Sequence, residues 1–253
     1  MLTKEELKKY SDNARASYLP HISIDCVVFG FHEGMLKVLL LHMKNENGWY
    51  LPGGFVLKDE PIELSANRIL KERTGLDEIF LQQFHVFGAP HRSKDHFDMY
   101  KDMLPPAENW FTDRFLTIGY YALVDFSDAI PQPDIFSADC VWRDLDDLPE
   151  LRLDHALILK TALDTLRLQL NYQPIGSNLM PKEFTMPELQ KLYETILDKK
   201  LDRRNFQRRM LGFGILKRSE KPRKGGAHKA PYLYSFDLEN YEAALTEGFK
   251  GGW

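Results

Sequence analysis

The sequence GFVLKDEPIELSANRILKERTGL, residues 54–76, decides the fold of the first part of the chain. A strand-like run, WYLPGG, leads into it, and the pattern then predicts a loop and a helix from about Pro61 to Thr74. Pro61 suits the first helical turn, where its missing N–H would have had no partner. Gly75 suits the left-handed position that follows the last residue of a helix.

The spacing of this stretch resembles the Nudix box, G-x5-E-x7-R-E-U-x-E-E-x-G-U, where U is a bulky aliphatic residue. Ile69 and Arg73 stand where the box has glutamates. The resemblance implies an α/β/α sandwich around a mixed sheet, in which the box glutamates hold magnesium ions for attack on a nucleoside-diphosphate linkage. The residues that fit the box are Gly54, Glu60, Arg68, Leu70, Glu72, Gly75 and Leu76.

The two departures bear on catalysis. Positions 69, 72 and 73 lie within about a third of the helix circumference and therefore face one site. Magnesium needs several oxygen ligands in a tight octahedron, and only Glu72 remains to supply them. This favours a Nudix fold that keeps a ligand cleft without hydrolase activity. The alternative is an active enzyme that recruits other acids, such as Asp95 or Asp98.

Composition sets the broad class. The 253 residues are 43% apolar, enough for one large core or two modest ones. Cys26 and Cys140 lie in strand-like runs and indicate small buried residues in a reducing compartment, with no disulfide framework. No secretory leader and no apolar run of about 18 residues is found, so we expect a cytoplasmic protein that does not enter the membrane.

Charge is distributed unevenly. Residues 181–253 hold 15 Lys+Arg and 10 Asp+Glu, whereas residues 1–180 hold 18 and 27. Within residues 199–229 there are 12 basic and 2 acidic side chains. Such a concentration of one sign attracts polyanions, while a merely solvated surface mixes signs more evenly.

Hydrophobic patterns predict two domains, residues 1–173 and 174–253, with an α+β fold overall. The first has a helix at residues 4–16, strands before and after the box, and a closing helix at 154–171. The polar residues 91–113 predict either a plain surface loop or a lid over the cleft. His91 and His96 with Asp95 and Asp98 lack a known ligand spacing, so we predict no metal site there.

The second domain has the pattern of a winged helix-turn-helix. A helix after Thr185 precedes the helix RRNFQRRMLG, and two strands flank the basic loop KPRKGGAHK. Phe206 and Met210 should face the core, leaving arginine and amide side chains able to read bases in a major groove. The predicted DNA-binding residues are Arg203, Arg204, Asn205, Gln207, Arg208, Lys217, Arg218, Lys221, Arg223 and Lys224.

A degenerate Nudix box followed by a winged helix resembles the Nudix-related transcriptional regulators of bacteria. The resemblance covers nearly the whole chain and implies a homodimer on a palindromic operator, a small effector that is not hydrolysed, and no cofactor. Effectors across that family include ADP-ribose and pentose sugars such as arabinose, so the chain is expected to govern NAD metabolism or sugar use. Which of these effectors applies, and whether regulation is repression or activation, stays open.

The effector is expected beside the box helix, where Nudix enzymes bind their substrates. Glycines allow close backbone approach, and Arg73 offers a planar donor fork to phosphate or sugar oxygens. The alternative is that Arg73 pairs with a carboxylate and that His91 is simply exposed. Two other functions remain: a Nudix hydrolase with an accessory nucleic-acid domain, and a protein-binding adaptor. The predicted effector-binding residues are Gly53, Gly54, Arg73, His91 and Arg92.

Overall fold

The structure is a computed structural model that describes residues 3–44, 48–77, 79–90, 92, 102–126, 129–134, 137–170, 173–222 and 231–247. The described chain forms two compact units. One contains Met1–Phe29, Val38–Ala122 and Ala129–Ala162, and the other contains Gly30–Lys37, Leu123–Asp128 and Leu163–Trp253. Within the described residues, no helix has the length and apolar character needed to span a membrane.

A seven-stranded sheet dominates the first part of the chain. Its strands run in the order β3-β2-β1-β6-β5, while β4 pairs with β1 and β7 pairs with β2. The strands are β1 (Tyr18–His32), β2 (Met35–Met43), β3 (Trp49–Tyr50), β4 (Gly53–Leu57), β5 (Leu81–Phe87), β6 (Leu116–Asp125) and β7 (Ser137–Asp144).

Three helices accompany these strands: α1 (Lys4–Ser17), α2 (Ile62–Thr74) and α3 (His155–Gln169). The α1 helix begins with the capping box in which Thr3 and Glu6 exchange hydrogen bonds. The centres of β1 and β2 are buried, so both faces of these strands are covered.

Two local expectations were wrong. Pro61 is the residue before the first helical turn of α2, whereas Gly75 is left-handed as predicted, with φ 74°. The WYLPGG run is not one strand, because β3 ends at Tyr50 and β4 begins at Gly53. Leu51 and Pro52 separate the two pairings, β3 with β2 and β4 with β1.

Residues 102–113 are not a plain surface loop. They form two short 3-10 helices, η1 (Pro106–Glu108) and η2 (Trp110–Thr112). Trp110 is 1% exposed and packs in a cluster with Ala14 and Phe115. Phe55 of β4 meets the Trp110 ring edge-on at 5.5 Å. The segment looks polar in sequence because only a few of its residues, Leu104, Asn109 and Trp110, are buried, and Trp110 is the largest of them.

The second part of the chain folds as a winged helix. Two of its helices meet through Tyr193 and Phe206, whose ring centroids lie 5.4 Å apart. Phe206 and Met210 are buried, as predicted. The elements are β8 (Phe184–Thr185), α4 (Met186–Leu197), α5 (Arg203–Gly212), β9 (Leu216–Pro222), β10 (Tyr232–Phe236) and α6 (Leu238–Glu247), and the sheet order is β8-β10-β9.

Candidate effector cleft and nucleic-acid interface

The glutamate position that follows the box arginine, Arg68, is occupied by the apolar residue Ile69. Ile69 is 1% exposed. A Cβ added to Gly54 would lie 3.1 Å from Ile69 Cγ1, so the β4 backbone passes directly over this side chain. A carboxylate at position 69 would be surrounded by the same packed atoms, where an unpaired charge is strongly disfavoured.

The two remaining acids of the box, Glu60 and Glu72, accept hydrogen bonds from Arg68. Its Nε donates to both carboxylate oxygens of Glu60 at 3.1 and 3.0 Å, its Nη1 donates to Glu72 at 3.0 Å, and its Nη2 donates to the Phe55 carbonyl at 2.9 Å. Burial alone would raise the pKa of Glu60, but hydrogen bonds from Arg68 and Ser65 outweigh it and lower that pKa. The Arg68 contacts fasten α2 to β4.

Arg73 takes the alternative arrangement that the sequence left open. It forms an ion pair with Asp134, and its Nη2 lies 3.6 Å from Met43 Sδ. Asp134 in turn accepts a hydrogen bond from the Ser137 N–H at 2.7 Å. A guanidinium therefore occupies the last glutamate position of the box. With Ile69 it leaves a residue set that does not fit a magnesium ion.

A buried ionic cluster lies beside Gly53. Arg92 is bidentate to Asp154, with both distances 2.8 Å, and its Nη2 is also 3.5 Å from Asp25 Oδ2. His155 Nε2 lies 3.6 Å from Asp25 Oδ1, and His155 Nδ1 accepts the Leu51 N–H at 2.9 Å. Arg92 is only 5% exposed, so this network is desolvated.

The cluster shifts two protonation equilibria. Burial raises the pKa of Asp25 to about 6, although the charge of Arg92 acts in the other direction. Burial lowers the pKa of His155 to about 3. A neutral His155 agrees with its acceptance of the Leu51 N–H, because Nδ1 must then lack a proton.

The cluster leaves no room for a side chain at Gly53. Gly53 pairs with Asp25 across β4 and β1. A Cβ added there would lie 2.3 Å from Asp25 Oδ1. Gly53 and Gly54 thus lie at the start of β4, and Arg92 lies in the ionic cluster beside Gly53. Arg73 lies in the last turn of α2, and His91 lies outside the described residues.

Sequence reasoning missed three members of the cluster. Asp25 was visible as a single acid inside the apolar run ISIDCVVFGF, and an acid is almost never buried without a partner. That signal predicts a buried pair but does not say with which residue. Asp154 and His155 gave no signal beyond their place at the start of a helix. The proposed acids Asp95 and Asp98, with His96, lie outside the described residues.

The α5 helix presents basic and amide side chains to solvent. Arg203, Arg204, Asn205 and Arg208 are exposed, and Gln207 is half-buried. Among the described residues, no hydrogen bond or ion pair involves the side chains of Arg203 and Arg204. Arg208 donates to Asn205 Oδ1 at 3.1 Å. The helix begins at Asp202, whose carboxylate accepts the Asn205 N–H at 2.9 Å and fixes the first turn.

The strands after α5 carry two basic residues with partners of their own. Lys217 lies 3.1 Å from Asp237 Oδ1. The guanidinium carbon of Arg218 lies 3.3 Å from the centroid of the Tyr232 ring. Both side chains are exposed. The side chain of Lys221, and the whole of Arg223 and Lys224, lie outside the part of the chain that the structure describes.

A Nudix fold whose box carries Ile69 and Arg73 at two glutamate positions, joined in sequence to a winged helix with an exposed basic helix, defines a class of DNA-binding regulator. The family described as NUDIX domain matches residues 19–164. The family described as NrtR DNA-binding winged helix domain matches residues 176–236. The chain belongs to the Nudix-related transcriptional regulators with an NrtR-type DNA-binding domain.

Individual relatives agree with this membership. The ADPR responsive transcriptional repressor NtrR of Acinetobacter baylyi is 31% identical over 230 residues, which are 88% of this chain and 84% of that protein. An ADP-ribose pyrophosphatase of Methanocaldococcus jannaschii is 27% identical over 163 residues, 63% of this chain and 80% of the enzyme.

Solved structures share the fold over nearly the full length. The crystal structure of Shewanella oneidensis NrtR has a TM-score of 0.70 at 24% identity, and it covers 92% of this chain and 99% of its own. The same protein in complex with a 27mer DNA gives a TM-score of 0.69 over the same shares at 24% identity.

Proposed function

We propose that the chain is an ADP-ribose-responsive transcriptional repressor whose Nudix domain binds its effector without hydrolysing it. The relative from Acinetobacter baylyi, which carries this function in its name, supports the proposal. The observation that carries it is the box itself. Ile69 is packed against Gly54, and Arg73 is paired with Asp134, so neither position supplies an oxygen to a metal.

The effector site belongs to the same proposal. Gly53, Gly54, Arg73 and Arg92, with His91, are its proposed residues. Arg73 is part-buried and paired with a carboxylate that a phosphate oxygen can replace as acceptor. Arg92 has two carboxylates within reach, so a ligand that took one of its donors would still leave an ionic partner.

Hydrolysis is tested directly. ADP-ribose is incubated with the protein and magnesium, and AMP release is followed, with the Methanocaldococcus jannaschii ADP-ribose pyrophosphatase as the active control. We expect no turnover above the rate without protein. Robust metal-dependent release would instead support the second candidate function, a Nudix hydrolase, which the retained Glu60 and Glu72 favour.

Effector identity is tested by thermal unfolding with ADP-ribose, arabinose and AMP. A ligand that binds only the folded protein adds about 2.7 kcal/mol to the free energy of unfolding at a hundred times its dissociation constant. We expect ADP-ribose to raise the melting temperature and arabinose to leave it unchanged. A rise with arabinose alone would show that the proposed effector is wrong.

The DNA-bound form is proposed to be a homodimer on a palindromic operator in the bacterial cytoplasm. Two-fold symmetric proteins place two recognition helices in successive turns of one face of the duplex. Light scattering of the protein with a duplex selected from a random library tests this stoichiometry. A single protein chain per duplex at saturation would contradict it.

A further inference from the structure

The compact unit that contains the winged helix also contains a hairpin tip from much earlier in the sequence. Residues Gly30–Lys37, which join β1 to β2, cluster with the second unit, although the matched NUDIX region includes them. The turn is tight, with φ 50° at Glu33 and φ 78° at Gly34. Two successive left-handed residues match the twist of a hairpin.

The hairpin tip is bonded to α4. Thr195 Oγ1 donates to the Gly34 carbonyl at 3.0 Å. A Cβ added to Gly34 would lie 2.8 Å from Lys191 Cε, one helical turn away from Thr195. Next to these residues, Tyr193 of α4 packs on Phe206 of α5. The chain of contacts therefore runs from the tip through α4 to the helix that carries the exposed arginines.

The base of the tip is also fixed. The rings of His32 and Phe126 stack with centroids 4.3 Å apart. Lys37 Nζ lies 5.8 Å from the centroid of the Phe126 ring. These contacts hold both strands of the hairpin against Phe126, which directly follows β6. The tip is thus held in place by packing on both of its strands, which suits it to position α4, the helix that is hydrogen-bonded to it.

We propose that the hairpin tip is the positioning contact that sets α4, and through it α5, for DNA binding. β1 runs without interruption from Asp25, in the ionic cluster beside Gly53, to His32 in the tip. A displacement of Asp25 by effector therefore reaches the Thr195–Gly34 hydrogen bond along one strand. The inference rests on the proposed DNA-binding function and adds the residues that carry regulation to it.

Thr195→Val removes the donor at nearly constant volume, and Thr195→Ser keeps it. The matched control is Thr161→Val, which removes a helical hydroxyl that donates within α3, to the Leu157 carbonyl at 2.8 Å. Each full-length variant is titrated, without effector, against a duplex selected from a random library by the wild-type protein. Titrations at several salt concentrations and thermal unfolding accompany them.

We expect Thr195→Val to bind the duplex about fivefold more weakly, which is the effect of one lost hydrogen bond of about 1 kcal/mol. Its salt slope should equal that of the wild type, because no phosphate contact is lost. Thr195→Ser and Thr161→Val should bind as the wild type does. A purely structural role of Thr195 would lower the melting temperature and leave DNA affinity unchanged.

A second arm adds saturating ADP-ribose. We expect the factor by which ADP-ribose changes DNA affinity to fall about fivefold in Thr195→Val and to persist in both other variants. Wild-type DNA affinity and wild-type coupling in Thr195→Val would overturn the hairpin proposal. A wild-type protein that ignores ADP-ribose would overturn the effector assignment alone, and the effector-free titrations would still decide the role of Thr195.

Discussion

Ile69 illustrates how one side chain changes the use of a fold. In the box pattern its position bears a glutamate, and the helix turns that position toward the strand that carries Gly54. The apolar residue at this position packs closely between helix and strand, whereas the glutamate of the box pattern would face a hydrated cation. The burial of Ile69 therefore stabilises the packing of α2 against β4, and an isoleucine offers no oxygen to a metal ion.

Restoring the acid should be costly. Ile69→Glu places a carboxylate among packed atoms without a cation, so we expect the free energy of unfolding to fall by several kcal/mol. The control is Leu64→Glu on the same helix, where the side chain is 58% exposed and the change should stay within about 0.5 kcal/mol. Urea denaturation of both variants measures this. Equal stabilities would mean that position 69 readily admits charge.

The ionic cluster predicts opposite pH dependences for two of its members. The raised pKa of Asp25 makes its contribution to stability complete below about pH 3.8 and lost as pH rises through about 6. The lowered pKa of His155 makes its contribution present above about pH 6.5 and lost as pH falls toward about 3. Between about pH 4 and 6 the two trends oppose each other.

Two variants separate these trends. In Asp25→Asn only the His155 dependence remains, so the free energy of unfolding should rise more steeply with pH between about 4 and 6 than in the wild type. In His155→Asn only the Asp25 dependence remains, so the slope of the free energy of unfolding against pH should be more negative than in the wild type over the same range. Urea denaturation at several pH values measures both slopes. Identical slopes in the two variants would contradict the assignment.

At the scale of elements, the sequence predicted most of what regular patterns encode. The helix at residues 4–16, the box helix and the winged-helix order were confirmed, because caps, periodicity and turn glycines act over a few residues. The burial of Trp110 was missed, since its partners Ala14 and Phe55 are distant in sequence. The same reason hid Asp154 and the bond between Thr195 and Gly34.

The recognition helix and the wing should contribute different kinds of DNA contact. Arg204 is exposed on α5, so Arg204→Ala should cost about 1–3 kcal/mol of binding free energy and relax base preference. Lys217→Ala should lower the salt slope by about one and weaken all sequences alike. The control Lys160→Ala removes a charge from α3, outside the winged helix.

Competition binding with selected and random duplexes across salt concentrations separates these effects. Loss of preference in Arg204→Ala with retained preference in Lys217→Ala would confirm the division. The division would be wrong if both variants lost affinity and preference in the same proportion.

At the scale of the whole molecule, charge is separated along the chain. Residues 1–180 carry a net charge of −9 and residues 181–253 carry +5. The acidic part repels DNA, so we expect attraction to the duplex to come from the winged helix, and to weaken steeply with salt. An anionic effector such as ADP-ribose must meanwhile bind within an acidic part of the chain. In the proposed effector site, we expect the cations Arg73 and Arg92 to provide the attraction.

Regulation by such an effector has to be reciprocal. If ADP-ribose changes operator affinity by some factor, operator DNA must change ADP-ribose affinity by the same factor, because both describe one free-energy cycle. We expect Arg73→Ala to abolish the response to ADP-ribose while effector-free operator binding stays at the wild-type level. The control is Lys71→Ala, which removes an exposed cation from the same helical turn, where it pairs with Asp77 at 2.6 Å. Calorimetric titration of ADP-ribose into free and DNA-bound protein measures both sides of the cycle. An Arg73→Ala protein that still changed its DNA affinity at wild-type effector concentrations would place the effector away from α2.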